Sequence, residues 1–408
     1  MSAYLTRTLE RFVVGPAARF PVLLLTGARQ VGKTSMLRKL AAPGRTYVTL
    51  DDPLALRLAR EDPALFLERY RAPVLIDEIQ YAPQVLPHVK IAVDRTKKGA
   101  GFWLTGSQPF HLMKGVSESL TGRVAVVNLL GLSRRELLGR GKDADPFVPP
   151  SARRPAAPPA KAASLAEMYR AIWRGSFPVV ATDETVDRTL FFSSYFQTYL
   201  QRDVRDLARV GDEMAFMRFV RAAAARTGQL LNLSELARDA DVAPNTAKSW
   251  LSILLASGVI HLLEPWHGNV TKRLVKAPKL YFLDTGFASY LTEWSSPETL
   301  EAGAMSGAMF ETWVVAEILK SYRHNGLQAP LFHYRDRDGR EIDLLVVRDG
   351  VIHPVEIKKS AAPRPEDARH FRAIAGAGAR VGAGAVVCLT AEPLPLTRDV
   401  TAVPAHLL

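Results

Sequence analysis

The N-terminal part of the chain alternates short apolar runs with longer stretches of helical periodicity. The runs lie at residues 22–26, 46–50, 74–76 and 102–105. Short apolar runs bounded by turn residues are typical of buried strands, and the periodic stretches between them predict helices. Alternating strands and helices form parallel sheets covered by helices. The pattern therefore predicts an α/β module at the start of the chain.

The pattern changes further along the chain. Residues 146–164 are rich in proline and alanine, a composition that does not sustain helix or sheet pairing, so we expect an exposed linker or insertion there. Residues 165–207 have helical periodicity with many aromatic residues, which favours a packed helical core over a base-stacking surface. Helices and then a short β element are predicted across 213–275. From about Gly307 an apolar helix precedes strand-like runs at 331–334, 342–347 and 351–357.

Composition narrows the class of protein. The chain has 408 residues, of which 48% are hydrophobic and 23% charged, as in globular proteins of two to four domains. No apolar run approaches the roughly 18 residues that span a bilayer, the first residues lack the features of a secretory signal, and the single cysteine cannot form an internal disulfide. We therefore expect a cytoplasmic protein that neither crosses nor binds a membrane.

The charge balance points to a polyanionic partner. Lysine and arginine exceed aspartate and glutamate by 53 to 41, giving a net charge of +12. A basic chain of this kind favours nucleic acid as a partner, although net charge alone does not report clustering and is also compatible with simple solubility.

The first apolar run leads into a phosphate-binding motif. The pattern G-x-x-x-x-G-K-[ST] is matched in full, and a helical stretch follows it. In such a loop the backbone N–H groups wrap the phosphates, and the helix N-terminus adds its positive end. Lys33 would neutralise the β- and γ-phosphates of ATP, and Thr34 would offer its hydroxyl to Mg²⁺. The predicted nucleotide-binding residues are Gly27, Ala28, Arg29, Gln30, Val31, Gly32, Lys33, Thr34 and Ser35.

Three further positions complete a predicted site for nucleotide hydrolysis. Asp77 and Glu78 follow an apolar run, as expected for a metal-binding aspartate and for a carboxylate that polarises the attacking water. Ser107 follows the next run, so it would lie at the carboxyl edge of the sheet, where a γ-phosphate sensor is placed. Arg123 is a candidate γ-phosphate arginine, acting in its own subunit or in a neighbouring one, with a surface ion pair as the alternative.

These motifs carry a family resemblance that spans nearly the whole chain. Segments 27–34, 75–80, 104–108 and 120–123, in this order, resemble the AAA-type ATPases of bacteria and archaea that have a C-terminal domain of unknown function. Further matches lie at Phe177-Pro178, 198–204 and 282–286. The chain departs from that family at Gly175-Ser176, where a glycine pair is usual, and in its proline-rich insertion. The resemblance implies an AAA-type fold, ATP and Mg²⁺ as cofactors, and Mg²⁺-dependent ATP hydrolysis.

The middle of the chain predicts a winged helix. Residues 233–254 have the pattern of two helices joined by a turn, and a β element follows. Asn245, Thr246 and Lys248 lie at the exposed start of the second helix, the element that enters the major groove in winged-helix proteins. The basic stretch 271–276 would be the wing that contacts phosphates. A winged helix used only for protein packing is the alternative.

The C-terminal part carries a second group of candidate catalytic residues. Glu311 lies on a predicted helix, Asp343 on a strand, and Glu356 and Lys358 share one face of the next strand. A Mg²⁺-dependent phosphodiesterase needs carboxylates that bind the metal and a lysine that orients or deprotonates water. The four positions resemble the PD-(D/E)xK restriction-endonuclease-like pattern, with Asp343 and Glu356 as metal ligands. An inherited fold without activity is the alternative.

Together these patterns predict an α/β chain of four parts. We expect a P-loop AAA-type ATPase domain at 1–135, a linker and helical lid at 136–207, a winged-helix domain at 208–290 and a restriction-endonuclease-like α/β domain at 291–408. The predicted function is ATP hydrolysis coupled to an action on DNA. The alternative is a regulatory ATPase switch whose C-terminal domains bind protein and cleave nothing. Homo-oligomerisation and a protein partner are left open by the sequence.

Overall fold

The structure, a computed structural model, describes residues 4–96, 101–107, 115, 116, 118–150, 162–199, 212–266, 277–336, 338–375 and 380–408. The described chain is a mixed α/β protein with three sheets. One is a parallel sheet near the N-terminus, and a second large sheet lies near the C-terminus, as predicted. In the described ranges no helix is long and apolar enough to cross a membrane.

The N-terminal sheet consists of five parallel strands in the order β2-β3-β4-β1-β5. The strands are β1 Val22–Thr26, β2 Thr46–Thr49, β3 Val74–Asp77, β4 Phe102–Gly106 and β5 Val124–Asn128. Strands β1, β3 and β4 are buried along their whole length, which explains why they are continuous apolar runs rather than alternating ones. Thr26 pairs with Gly106 and Asn128, so the carboxyl ends of the neighbouring strands meet at one edge.

Helices cover both faces of this sheet. They are Glu10–Val14, Lys33–Leu40, Pro53–Glu61, Pro63–Arg69, Val85–Thr96 and Arg134–Leu137. Two of them begin with a proline that follows a capping aspartate: the side chain of Asp52 accepts hydrogen bonds from the backbone N–H groups of Leu54 and Ala55, and Asp62 caps the next helix in the same way. These caps satisfy N–H groups that have no partner inside the helix.

Within the described residues, three helices follow the proline-rich stretch in the part of the chain predicted to form a lid, and we call them the lid. They are Leu165–Arg174, Pro178–Thr182 and Arg188–Tyr199. The first begins with a capping box between Ser164 and Glu167 and ends at Gly175, which has φ +82°. The described parts of the proline-rich stretch, 146–150 and 162–164, have no helix or strand, and 151–161 lie outside the described residues. Positions 200–204 of the family-like segment 198–204 also lie outside them.

The middle module consists of three helices and a small antiparallel sheet. The helices are Glu213–Ala225, Leu233–Ala240 and Pro244–Ala256, and the strands are β6 Gln229–Leu230, β7 Ile260–Leu263 and β8 Lys279–Phe282. The strand order is β6-β8-β7. The predicted wing, 271–276, lies outside the described residues, which end at 266 and resume at 277.

The C-terminal module is built on the second large sheet. Its helices are Thr285–Leu291, Pro297–Ala302, Ser306–Arg323 and Arg372–Ala375, and a 3₁₀ helix covers Pro365–Phe371. Its strands are β9 Leu331–Arg335, β10 Glu341–Arg348, β11 Val351–Ile357, β12 Arg380–Val381, β13 Gly384–Cys388, β14 Leu394–Pro395 and β15 Val400–Pro404. Strands β9, β10 and β11 are antiparallel neighbours, whereas β11, β13 and β15 run parallel.

One cluster of buried apolar residues connects these modules. It contains Leu25 of the N-terminal sheet, Phe192 of the lid, Phe219 of the middle module, and Phe310 and Val355 of the C-terminal module. The opposite face of the N-terminal sheet and the outer face of the C-terminal sheet have separate clusters. The lid and the middle module therefore share one hydrophobic core with one face of each large sheet.

Candidate functional site

The phosphate-binding loop depends on two glycines. Strand β1 ends at Thr26, and the next helix begins at Lys33. Gly27 has φ +145° and Gly32 has φ +93°, in the region that side chains disfavour. A Cβ atom at Gly27 would lie 2.1 Å from the backbone oxygen of Leu129. The loop can therefore follow this path only with glycine at these two positions.

Lys33 lies at the centre of the loop. Its Nζ atom donates hydrogen bonds to the backbone oxygens of Gly27 at 2.9 Å and Ala28 at 2.8 Å, and to Oγ of Ser107 at 3.1 Å. Only 5% of the residue is exposed. The structure thus brings the predicted phosphate-binding lysine together with the predicted γ-phosphate sensor, which follows strand β4.

Asp77 lies at the end of β3 beside the loop threonine. The hydroxyl of Thr34 donates to Oδ1 of Asp77 at 2.7 Å. Two further hydroxyls donate to the same carboxylate: Thr105 to Oδ1, and Tyr47 to Oδ2 at 3.1 Å. Burial, together with the Asp77 carboxylate, raises the pKa of the Tyr47 phenol, so the phenol remains a donor. Sequence reasoning missed Tyr47 and Thr105, although both lie on strands that end at this edge.

Glu78 points toward Ser107. Both of its carboxylate oxygens accept from the Ser107 hydroxyl at 3.2 Å, and the side chain of Gln80 also donates to it. Its backbone has φ +59°, and its N–H donates to the hydroxyl of Thr105 at 3.0 Å. The end of strand β3 and this hydrogen bond fix the backbone of Glu78. Its carboxylate is therefore positioned beside Lys33 and the phosphate-binding loop.

These side chains line one cavity of about 380 Å³. Its loop residues are Arg29, Gln30, Gly32, Lys33, Thr34 and Ser35, and Glu78 and Ser107 line another side. Two residues of the lid helix Arg188–Tyr199 complete it, Tyr195 and Thr198. The aromatic pattern of that helix predicted only a packed core, and Tyr195 does pack within 4.8 Å of the Phe177 ring, measured between centroids. Tyr195 therefore belongs to the packed core and also lines the candidate nucleotide site.

The donor set of this cavity fits a Mg²⁺–nucleotide complex. Mg²⁺ prefers oxygen ligands and usually keeps several waters, with one or two protein oxygens and substrate phosphates completing its shell. The hydroxyl of Thr34 and the carboxylate of Asp77 lie side by side and supply such oxygens. The residues that would hold the metal are therefore Thr34 and Asp77.

Arg7 stabilises the phosphate-binding loop, a role that the sequence did not predict. Its guanidinium donates to the backbone oxygen of Val31 in the loop at 2.9 Å and to that of Leu130 at 2.8 Å. It also forms a buried ion pair with Glu136, at 3.2 Å from Nε to Oε1. His324, at the end of the helix Ser306–Arg323, lies 3.2 Å from the same carboxylate oxygen. Glu136 thus links the phosphate-binding loop to the C-terminal module.

The environment keeps Glu136 ionised. Burial alone would raise the pKa of its carboxyl, but Arg7 and His324 hold it well below its usual range. Two backbone N–H groups, those of Thr8 and Ser133, also donate to it at 2.8 Å. Removal of the carboxylate would leave Arg7 buried and unpaired.

We expect Glu136→Ala to lower the free energy of unfolding by about 3–5 kcal/mol, because breaking a buried ion pair leaves an uncompensated charge. Urea unfolding followed by circular dichroism measures the change. The matched control is Glu184→Ala, since Glu184 pairs with Arg170 at the surface, where both side chains are more than half exposed. That control should change stability by less than about 1 kcal/mol. Equal effects of the two substitutions would contradict the role of Glu136.

Arg123 lies away from the nucleotide cavity. It immediately precedes β5, and its backbone oxygen accepts from Val22 at the amino end of β1, whereas the phosphate-binding loop follows the carboxyl end of β1. A five-residue strand separates the two ends by roughly 17 Å. The guanidinium pairs with Asp94 instead, at 2.6 Å. This position favours the surface ion pair over a role at its own subunit's nucleotide, and the role of Arg123 at a γ-phosphate stays a prediction.

The lid is joined through Ser176 to the start of the helix Thr285–Leu291. Its backbone N–H and its hydroxyl donate to Oδ2 of Asp284 at 2.6 and 2.7 Å. The serine hydroxyl, present where the related family usually has glycine, therefore adds a hydrogen bond to this junction. A Cβ atom at Gly175 would lie 2.5 Å from Oδ1 of Asp284, so the first residue of the pair has to be glycine.

The predicted C-terminal residues also come together. Asp343 accepts from the backbone N–H of Ile357 at 2.9 Å, and Lys358 pairs with Glu356 at 2.7 Å. Burial, together with the Asp343 carboxylate, raises the pKa of Glu356 to about 7, and the same two causes raise the pKa of Glu311. Within the described ranges, however, no group of three or more histidine, cysteine, aspartate and glutamate residues is arranged to hold a metal ion. The structure brings the residues together without forming a clear metal centre.

The start of the helix Pro244–Ala256 faces solvent. Asn245 and Lys248 are exposed, and Thr246 is half-buried. The helix packs through Trp250 against Phe216 and Phe219 of the helix Glu213–Ala225. The side chains at the predicted DNA-binding positions are therefore accessible.

Comparison with known proteins agrees with the nucleotide site. Residues 19–138 match the family described as "AAA domain". Residues 165–298 and 306–408 match two domains of unknown function, DUF8612 and DUF4143. The uncharacterized proteins Rv2008c of Mycobacterium tuberculosis and Mb2031c of Mycobacterium bovis are each 32% identical to the chain over 391 residues, covering 95% of it and 80% of the relative.

The chain belongs to this family of AAA-type P-loop ATPases. Among solved structures, a RuvB variant of Thermotoga maritima is 16% identical and covers 63% of the ATPase and 89% of that chain, with a TM-score of 0.31. That overlap is too low to support a conclusion. The family membership of the ATPase therefore rests on the sequence matches and on the site geometry described above.

Proposed function

We propose that this ATPase binds ATP together with Mg²⁺ at the phosphate-binding loop and hydrolyses it there. The observation that carries the proposal is the convergence of Lys33, Thr34, Glu78 and Ser107 around one cavity at the carboxyl edge of the N-terminal sheet. Asp77 accepts a hydrogen bond from Thr34 at the same edge. In open α/β sheets ligands bind at that edge. A purely structural loop would not need a buried lysine beside a carboxylate pair.

Each side chain has a separate role in this proposal. The loop N–H groups and Lys33 hold the β- and γ-phosphates, and Thr34 and Asp77 hold the metal. When bound, Mg²⁺ neutralises charge on the phosphate oxygens. Glu78 orients and polarises the attacking water, and Ser107, which contacts both Lys33 and Glu78, senses the γ-phosphate. Lys33 must leave the loop oxygens of Gly27 and Ala28 to reach the phosphates.

Binding of the nucleotide is tested by isothermal titration of the full chain with ATP, once with Mg²⁺ and once with EDTA. The proposal expects one saturable site per chain whose affinity is higher with Mg²⁺. Absence of binding under both conditions would overturn the assignment of the cavity.

We further propose that the ATPase acts on DNA through the middle module. The exposed start of the helix Pro244–Ala256 carries Asn245 and Lys248, which are suited to contacts with bases and phosphates. The net charge of +12 favours the same partner. A winged-helix role for this module agrees with its order of three helices and short antiparallel strands. The alternative is a regulatory switch in which the same surface binds protein.

The nucleotide site lies next to the far end of that helix. The hydroxyls of Tyr199 in the lid and Ser257 after the helix are 2.8 Å apart. A Cβ atom at Gly258 would lie 3.8 Å from the backbone nitrogen of Ala28, so the turn after the helix lies against the phosphate-binding loop. These contacts supply a direct route by which the state of the nucleotide affects the position of the middle module.

We expect Lys248→Glu to weaken DNA binding across sequences, because an exposed lysine at this position would contact phosphates. The slope of log affinity against log salt should fall by about one, which corresponds to an affinity loss of about tenfold at 0.1 M salt. Fluorescence anisotropy of a labelled duplex at several salt concentrations measures both quantities. The control is Lys142→Glu, an identical charge change at an exposed position before the lid. An unaltered slope in Lys248→Glu would exclude this face as the DNA-binding surface.

A further inference from the structure

Four carboxylates lie close together in the C-terminal module. Glu311 lies on the helix Ser306–Arg323, and Glu341 and Asp343 are two residues apart on β10, so they share one face of the sheet. Glu356 lies on the neighbouring antiparallel strand β11. We call these four residues the acidic cluster. Carboxylates that lie close together repel one another when ionised, and a nearby cation relieves that repulsion.

A lysine from a different module provides that cation. Lys279 is the first residue of β8 in the middle module, and 3% of it is exposed. Its Nζ atom lies 2.6 Å from a carboxylate oxygen of Glu341, 3.2 Å from one of Glu311 and 3.7 Å from one of Asp343. Three carboxylates thus surround the buried ammonium, and each forms an ion pair with it.

The same strand makes a second contact with the cluster. Tyr281, two residues after Lys279 and on the same face of β8, donates its hydroxyl proton to Glu311 at 2.6 Å. The middle module thus places one cation and one neutral donor into the cluster. Because neither side chain belongs to the C-terminal strands, the contact depends on how the two modules pack.

This arrangement disagrees with the resident metal that a PD-(D/E)xK-like site requires. A metal bridging Asp343 to the neighbouring carboxylates would have to share their charge with a buried ammonium, which repels a divalent ion. In the part of the chain that the structure describes, Oε2 of Glu356 is buried without a hydrogen-bond partner, and 8% of that residue is exposed. One acceptor of the cluster therefore has no donor, whereas Oε1 of the same residue pairs with Lys358.

We propose that Lys279 is the resident cation of the acidic cluster, taking the place of a divalent metal ion and locking the middle module to the C-terminal module. With Lys279 in place the cluster does not bind a divalent cation. Without it the same carboxylates form a divalent-cation site that includes Asp343. The proposal concerns the C-terminal module and is independent of whether the phosphate-binding loop hydrolyses ATP.

The test is binding of Mn²⁺ alone to the full chain, measured by isothermal titration without nucleotide. Four proteins are compared: the wild type, Asp343→Asn, Lys279→Met, and the double variant Lys279→Met/Asp343→Asn. We expect the wild type and Asp343→Asn to bind the same number of Mn²⁺ ions per chain. Lys279→Met should bind one more, and the double variant should lose that additional ion. Mn²⁺ should also raise the midpoint of thermal unfolding of Lys279→Met more than that of the wild type.

Two results would overturn the proposal. One is an Mn²⁺ ion on the wild type that Asp343→Asn removes, because the cluster would then hold a metal beside Lys279. The other is a folded Lys279→Met protein that gains no Mn²⁺. If Lys279→Met does not fold, the comparison of the wild type with Asp343→Asn still decides whether Lys279 excludes the metal.

Discussion

Lys33→Ala is expected to reduce ATP hydrolysis by at least about 100-fold, the usual cost of removing one preorganised group that stabilises transition-state charge. The lysine ammonium is buried between the loop oxygens and Ser107, at the centre of the proposed phosphate site. Because the ammonium also contacts the ground-state phosphates, the affinity for ATP should fall as well. Phosphate release under saturating ATP and Mg²⁺ measures the rate, and titration measures the affinity.

The matched control for this variant is Lys39→Ala. Lys39 lies on the same helix, Lys33–Leu40, but in its last turn and exposed to solvent. Its removal should leave both rate and affinity unchanged within about twofold, as surface substitutions away from a site alter energies by no more than about 0.5 kcal/mol. Wild-type turnover in Lys33→Ala would show that ATP is hydrolysed elsewhere.

Glu78→Gln is expected to leave ATP binding nearly intact and to reduce hydrolysis by about 10²–10⁴-fold, the range for loss of a general base. The amide keeps the shape of the carboxylate and can still contact the Ser107 hydroxyl, but it cannot accept a proton from water. Glu78→Gln should therefore keep ATP binding and lose turnover, whereas Lys33→Ala should lose both.

Glu61→Gln is the control for Glu78→Gln, since it makes the same chemical change at an exposed helix end on the N-terminal module. Its turnover should match that of the wild type. A Glu78→Gln protein that hydrolyses ATP at the wild-type rate would assign the water-activating role to another residue.

The centre of the candidate site was predictable because its signals are local. The loop motif lies between one strand and one helix, and Asp77, Glu78 and Ser107 each follow directly on an apolar run. In a parallel sheet the carboxyl ends of strands meet at the same edge, so adjacency of these residues follows from their position in the pattern. The parallel sheet itself followed from the alternation of strand and helix patterns.

The supporting residues were not predictable because their contacts join distant parts of the chain. Arg7 reaches Leu130, a separation of 123 residues, and Lys279 reaches a cluster on another module. No motif marks either residue, and both belong to residue types that are usually at the surface. Their roles arise only from how the modules pack.

The position of Arg123 was not predictable for a different reason. Residues 124–128 form strand β5, which the pattern analysis did not assign. Its alternating burial and one exposed valine, Val126, are typical of an edge strand rather than of the continuous apolar runs of β1 and β3. Assignment of that strand would have placed Arg123 at the amino edge of the sheet, opposite the nucleotide.

Phosphate release from ATP by the full chain, measured with Mg²⁺ or EDTA and with or without duplex DNA, decides whether this cavity hydrolyses ATP; Lys33→Ala provides the background rate. We expect turnover that requires Mg²⁺ and whose rate changes when DNA is added. Turnover with Mg²⁺ that DNA leaves unchanged would favour the regulatory switch over an action on DNA. Phosphate release no faster than that of Lys33→Ala under every condition would contradict the assignment of this cavity as an ATPase site.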